Sequence, residues 1–530
     1  MIKIERTVEY SMSTVNTVVI PTAGIGSRMG NLTKNLNKAL LPYKNKPFLS
    51  HIIDQFPKDT HFIIPVGYLS QQVKDYCTVA HDDVNITFVD IDDYTSSRSG
   101  TAYTLKKCTN LLDKPFWYIP CDTYFDTDLI SEIKDTSKNY YFTKQVSEDL
   151  SDLYTMFKLD NLTITDMVFK EHCPADYVAF TGVMYLGDHV DFITRLTELN
   201  NNEFIFVIEK GESIVNLDSW IDFGNIESYA NAVNSSQKFD FSKEDEITYI
   251  TDSKVIKWWV NKTITENKYK RTLDHDGIYP DNCKIVGNYL AYDWYSGKTL
   301  YQHNDVEHFN SLLNWLDNNV WHRADVDIKD ECIEFYKNKT LGRIEKYLTK
   351  YNTQEKVSSI NGVDVKDYAY YLNNIDYSYL TETVQASYIH GDLQFDNIVI
   401  GKDFKLIDWR PDFAGNTNTG DIYYDLAKLA GGFIINYSKI KENNFKVDIK
   451  NNHVTLEIPY IDNHEQYFTL LKKFVNEKQL EWKKVELLIP IIFWNMSPLH
   501  TSPFDKFLWY LGIKLFQEYE TKYSSNEAVL

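Results

Sequence analysis

Residues 17–30 read TVVIPTAGIGSRMG, and a few positions on, 37–42 read NKALLP. A run of apolar, mainly β-branched residues at 17–20 passes directly into a turn holding Ala23, Gly24, Gly26 and Ser27. Glycines placed straight after a strand let backbone N–H groups approach phosphate oxygens, and a helix N-terminus behind them adds a favourable dipole. A dinucleotide site would need a third glycine where Met29 stands; Gly30 comes one residue late. A Walker A loop is excluded as well, because no G-K-[ST] follows. Arg28 and Lys38 make the stretch more specific, since two cations beside a glycine loop suit a triphosphate under attack.

Outward from this loop, short apolar runs at 61–66, 86–89 and 116–119 alternate with helix-like stretches at 48–56 and 70–76. That alternation predicts an α/β domain with a mainly parallel sheet covered by helices. The polar segment SSQKFDFSKEDE at 235–246 reads as a linker. The expected organisation is a tail at 1–13, a first domain at 14–235, a linker at 236–245, a small lobe at 246–305 and a larger lobe at 306–530. A strand-like piece is expected at 247–260, helices at 306–319 and 332–350, and a helical final hundred residues with apolar spacing such as Phe468, Leu471, Phe474 and Val475.

The segment 21–47 resembles the nucleotidyltransferases that join a nucleoside triphosphate to a phosphorylated small molecule, of the sugar-1-phosphate and phosphocholine type. Their pattern is a strand, G-x-G-[ST]-R, a Lys segment and a G/N-K-P turn, the last supplied by Asn45-Lys46-Pro47. SGTA at 99–102 looks like the family's base-recognition turn, with Gly100 and Thr101 in it. YIPCD at 118–122 and WIDFG at 220–224 look like its two metal-binding segments. The resemblance implies a Rossmann-like domain over 14–235. It assigns Arg28 to the triphosphate, Lys38 to the α-phosphate or the acceptor phosphate, and Asp122 with Asp222 to Mg²⁺.

Residues 389–400 read IHGDLQFDNIVI and 405–409 read KLIDW. H-G-D-x-x-x-x-N followed by a second apolar strand ending in Asp resembles the aminoglycoside phosphotransferase and choline kinase group, small-molecule relatives of protein kinases. The implied fold is bilobal and protein-kinase-like, with a small β-rich lobe and a larger helical one. The resemblance implies that Asp392 orients the acceptor hydroxyl and takes its proton, while Asn397 and Asp408 hold Mg²⁺. His390 is expected to be a structural, hydrogen-bonded residue. Lys257 is the candidate phosphate-binding lysine, Glu266 its candidate helix partner, and Leu290 with Tyr292 the candidate adenine hinge. No glycine-rich loop precedes Lys257.

The chain has 530 residues, 43% of them apolar and 25% charged, which excludes disorder as its main character. A net charge of −20 repels nucleic-acid backbones and anionic membranes, so no nucleic-acid partner is expected. The six scattered cysteines include no C-x-x-C pair and suit reduced thiols. No signal peptide or membrane span is read, and a cytoplasmic location is expected. Together the halves imply an enzyme that phosphorylates a small molecule with ATP and then couples it to a nucleoside monophosphate from a second NTP, CTP or UTP. Pyrophosphate is released, and the product is an activated sugar for surface polysaccharide. An amino-alcohol route, choline or ethanolamine to its CDP derivative, remains open, as does a non-catalytic nucleotide-binding scaffold. An oligomer is compatible with the sequence.

Overall fold

A computed structural model describes residues 16–96, 99–209, 211, 213–234, 245–273, 277–351 and 357–527. The expected tail at 1–13 lies outside the described residues, as does the expected linker apart from Asp245. The described residues divide into two compact units. The first runs to residue 234 and also takes in Glu246–Val260 and Val286–Tyr289; the second holds Asn261–Ile285 and everything from Leu290 onward. The strand that carries Lys257 is therefore counted with the first unit. It forms a hairpin with Glu246–Ile250, and the hairpin's attachment is specific: the Tyr249 hydroxyl donates to Leu40 O at 2.7 Å, Ile250 N donates to Asn45 O at 2.7 Å, and Lys254 pairs with Asp82 at 2.9 Å.

The first unit is built on a nine-stranded sheet in the order Asn85–Asp90, His61–Val66, Thr17–Val19, Phe116–Tyr118, Tyr177–Leu186, Asn139–Lys144, Ser213–Asn216, Thr163–Phe169, Thr155–Asp160. The first four strands are parallel. Thr17–Val19 is buried along its whole length, as a strand inside a helix-covered parallel sheet must be, whereas Asn85–Asp90 at the edge ends in exposed polar residues. Helices Phe48–Ile53, Ser70–Ala80 and Thr101–Cys108 follow in the βαβ manner.

The sheet is mixed rather than mainly parallel. Tyr177–Leu186 runs antiparallel to both Phe116–Tyr118 and Asn139–Lys144, so its insertion ends the parallel half. Its register shifts between Phe180 and Met184, around Gly182 at φ 82°. A Cβ there would stand 2.6 Å from Pro120 Cγ, so the bulge lets this strand pass close over the segment leading to Asp122.

The second unit is mainly helical. Its longest helices are Val306–Asn319, His464–Glu477, Trp482–Met496 and Phe504–Glu527. The helix expected at 332–350 is present as a continuous helical stretch made of Lys329–Cys332, a π-helical segment Ile333–Asn338, and Lys339–Tyr351. The final hundred residues are not all helical. Lys446–Lys450 and His453–Glu457 form an antiparallel hairpin, turned by Asn451 and Asn452 at φ 50° and 65°. Two positive-φ residues are what a tight hairpin turn requires, and asparagine tolerates them.

Candidate active site

Because Thr17–Val19, His61–Val66, Asn85–Asp90 and Phe116–Tyr118 are parallel, their carboxyl ends open on one edge of the sheet, where α/β folds bind ligands. Pro21 to Gly24 and Gly26 to Arg28 leave the end of the first, Ile91 the end of the third, and Cys121 with Asp122 the end of the fourth. All of these line one cavity of about 520 Å³ in the first unit.

Asn37 sets the position of Lys38. Fully buried, it donates to Thr22 O at 3.0 Å and Tyr68 O at 2.7 Å, and its Oδ1 accepts from Ala39 N at 2.9 Å. The turn Lys38–Leu40 is thereby stapled to the start of the glycine loop. Gly26 fits beneath it at φ 69°, where a Cβ would meet Lys38 Cβ at 3.3 Å and Thr33 Cγ2 at 3.2 Å. The Lys38 ammonium donates to Asp122 Oδ2 and, at 3.4 Å, to Gly224 O.

Asp122 and Asp222 are brought side by side by a two-strand ladder, Thr123–Tyr124 against Ile221–Asp222, in which Asp222 faces Thr123. Phe223 N donates to Asp122 O at 2.9 Å. Asp222 accepts from Gly224 N at 2.8 Å and from the Tyr154 hydroxyl at 3.2 Å. Burial pushes both carboxyls up. At Asp122 the charge and hydrogen bond of Lys38 outweigh it, with Arg28 adding to the pull, and hold the group below its usual value. At Asp222 burial and the neighbouring Asp122 charge prevail and raise it.

The turn at 99–102 is held from the far side of the cavity. Ala102 N donates to Asn202 O at 2.8 Å, and a Cβ on Gly100 would stand 2.4 Å from that same oxygen. The Thr101 hydroxyl is committed to Glu203 Oε2 at 2.8 Å, while Gly100 and Thr101 both line the cavity. Glu203 and Tyr154 are lining residues that no local motif marks.

No family model matches the chain. The D-glycero-alpha-D-manno-heptose 1-phosphate guanylyltransferase of Campylobacter jejuni is 24% identical over 159 residues, 29% of this chain and 69% of that protein. The UTP–glucose-1-phosphate uridylyltransferase of Haloferax volcanii is 22% identical over 223 residues, 39% of this chain and 90% of that protein. The N-terminal region is similar to nucleotidyltransferases. Among solved structures, a UDP-glucose pyrophosphorylase complexed with UDP-glucose matches 42% of this chain and 98% of its own, at 18% identity and TM-score 0.36. The CTP:phosphocholine cytidylyltransferase of Streptococcus pneumoniae matches 42% and 99%, at 19% identity and TM-score 0.34.

Beside this nucleotidyltransferase-like unit, the second unit gathers the residues singled out around 390–408. Asn397 Nδ2 donates to Asp392 O at 2.8 Å, and Ile407 N donates to Asn397 O at 2.9 Å, tying the loop to the strand that leads to Asp408. Asp408 is held at φ 60°, a strained conformation for a residue with a side chain, and its carboxylate lies 4.0 Å from Lys268. His390 is wholly buried and structural: Nδ1 accepts from Asp392 N at 3.1 Å, so Nε2 donates to Ile407 O at 2.8 Å. Asp425 accepts from His390 N and Gly391 N at 2.7 Å each and from Trp321 Nε1 at 3.1 Å, fixing the backbone of the H-G-D turn.

Lys428, which the motif does not include, pairs with Asp392 at 2.6 Å. Burial pushes the Asp392 carboxyl up, but Lys428 and the nearby Arg410 hold it well below its ordinary range. The other expected residues are less closely gathered. Lys257 is buried with Glu246 Oε1 at 3.9 Å, whereas Glu266 pairs with Lys262 at 3.2 Å. Leu290 and Tyr292 are buried on the strand Tyr289–Asp293. Among the described residues no helix is long and apolar enough to cross a membrane.

Proposed function

We propose that the chain is a bifunctional enzyme: its second unit phosphorylates a small molecule with ATP, and its first couples the phosphorylated product to a nucleoside monophosphate. The second NTP is CTP or UTP, and the product is an activated sugar for surface polysaccharide. The observation that carries the first half is the meeting of Lys38, Asp122 and Asp222 beside the glycine loop. The similarity to two sugar-1-phosphate nucleotidyltransferases supports a sugar 1-phosphate as the substrate of this step.

In the first reaction an acceptor phosphate oxygen attacks the α-phosphorus in line and pyrophosphate leaves. Little proton transfer is needed, so positioning and charge neutralisation do the catalysis. Arg28, exposed on the cavity wall, holds the triphosphate; Lys38 swings between Asp122 and the phosphates. Two adjacent carboxylates fit Mg²⁺, which binds through one or two carboxylates plus substrate phosphates; burial and the neighbouring Asp122 charge, which raise the Asp222 carboxyl, are costs that a cation would offset. Magnesium would supply neutralisation of the phosphate charge.

In the second reaction Asp392 orients the acceptor hydroxyl and accepts its proton. Asn397 and the strained Asp408 would hold Mg²⁺ there. The Asn397 amide nitrogen is committed to Asp392 O, which leaves its oxygen for the ion.

The test is a matrix of acceptors with ATP, followed by CTP, UTP, GTP or dTTP with pyrophosphate detection. Turnover of a sugar and then of its phosphate is expected; turnover of choline or ethanolamine and of no sugar overturns the sugar reading. Asp392→Ala and Lys38→Ala are expected to abolish ADP formation and pyrophosphate release respectively, each sparing the other reaction.

A further inference from the structure

Around Asp392 the second unit assembles more positive charge than one carboxylate needs. Lys428 takes Asp392 itself. Lys339, the first residue of the helix Lys339–Tyr351, places its ammonium 3.6 Å from the centre of the Phe335 ring. Arg410 lies over the same ring at 4.8 Å and within 5.9 Å of the Tyr424 ring centre. Arg343 follows Lys339 one turn later and feels the charge of Arg410. Among the described residues, no carboxylate lies within ion-pair distance of Lys339, Arg343 or Arg410.

The fold takes trouble to hold these cations together. Phe335 belongs to the π-helical segment Ile333–Asn338, a distortion that recurs at functional sites, and packs edge-on against Tyr424 at 4.8 Å. Gly391 stands at φ 80°, and a Cβ on it would be 2.7 Å from Arg410 Cβ, so the glycine of the H-G-D turn is what lets the arginine lie against the loop. Half-buried like charges repel, and an aromatic face offsets only part of that cost. Burial, then Arg410, Arg343 and Lys428, drive the Lys339 ammonium well below its ordinary value. A bound anion would relieve this stress.

We propose that Lys339, Arg343 and Arg410 form a subsite for an anionic group on the acceptor, so that the hydroxyl compound delivered to Asp392 carries a carboxylate or a phosphate. The inference rests on the kinase reading of this unit and narrows its substrate class to sugar acids and sugar phosphates. A cationic amino alcohol would meet the charges of Arg343 and Arg410 there and be rejected.

The experiment uses the full chain and matched probes: gluconate and glucose 6-phosphate, neutral glucose, and choline. ADP release with ATP gives KM for each acceptor, and titration calorimetry with gluconate 6-phosphate reads binding without turnover. A charge-assisted contact is worth about tenfold or more in affinity. An anionic acceptor is therefore expected to have a KM about tenfold below that of glucose. Lys339→Met and Arg343→Gln should each raise that KM and weaken gluconate 6-phosphate binding about tenfold, leaving KM for ATP unchanged. Preference for glucose or choline overturns the proposal, as does equal binding of gluconate 6-phosphate by wild type and both variants, or no binding at all. Variants that raise KM for ATP instead assign the cluster to the nucleotide and overturn it too. Binding that depends on Lys339 without ADP release from any acceptor would support the anion subsite and sink the kinase reading.

Discussion

Lys38 and Asp122 stand 84 positions apart in the chain and meet as an ion pair inside the cavity of the first unit, with side chains only 10% and 22% exposed. The pair joins the segment that follows Thr17–Val19 to the segment that follows Phe116–Tyr118, the parallel strand paired directly with it. It places two opposite charges together where water has little access.

Substituting one partner therefore separates stability from catalysis. Asp122→Asn leaves Lys38 without its counter-charge, and breaking a buried pair costs about 3 kcal/mol. The double variant Lys38→Met, Asp122→Asn removes both charges and should recover most of that loss in a denaturant titration. Pyrophosphate release should fall by about 10²-fold or more in both. Recovery of activity in the double variant would show that neither residue acts on the substrate.

Asn37 is expected to matter nearly as much as Lys38, although it touches no substrate. Asn37→Ala deletes two donated hydrogen bonds and leaves Ala39 N without its acceptor, at about 2–3 kcal/mol in total. The expected outcome is a lower melting temperature together with a lower kcat for nucleotidyl transfer. ADP formation by the second unit serves as the internal control and should be unchanged at temperatures below the melt.

His390 gives the second unit a signed response to acid. Burial pushes its imidazole down to about 3, against the pull of Asp392, because both ring nitrogens are engaged only in the neutral form. The unfolded chain, at an ordinary value of 6.5, binds a proton that the folded state refuses. Stability from this residue is therefore full above 6.5 and is lost as the pH falls toward 3. Asp425 runs the other way: burial lifts its carboxyl to about 6, so its contribution declines as the pH rises from 3.8 to 6. Comparing wild type with His390→Gln cancels Asp425, and the melting temperature of wild type should drop more steeply with acid. Parallel profiles would contradict the neutral histidine.

What the sequence made legible was chemistry held at short spacing. Gly24, Gly26, Arg28 and Lys38 fall within one loop and turn, and Asp122 and Asp222 end short strands with recognisable neighbours. What supports them comes from far away. Tyr154, Glu203 and Lys428 carry no local signature, because their roles arise only when the fold brings them beside Asp222, Thr101 and Asp392. Tyr177–Leu186 is apolar enough to be a strand, but nothing in its composition says that it inserts antiparallel at the middle of the sheet. The hairpin at 446–457 was readable: His453–Glu457 alternates exposed and buried positions, the period-2 pattern of a strand, and Asn451-Asn452 marks its turn. Surrounding helical periodicity hid it.

The two glycines of the loop should fail differently when given a methyl group. A Cβ on Gly24 would meet nothing within 4 Å, and its backbone is not in the left-handed region, so the folded chain accepts it. That open space is where backbone N–H groups would approach phosphate oxygens, so Gly24→Ala should raise KM for the NTP several-fold with an unchanged melting temperature. Gly26→Ala must adopt φ 69° and press on Thr33 and on Lys38 itself. The left-handed conformation alone costs about 1 kcal/mol, and the contact with Lys38 Cβ displaces the ammonium from Asp122. Lower melting temperature and lower kcat are expected together. If both variants instead changed KM alone, Gly26 would be a phosphate contact rather than the seat of the lysine.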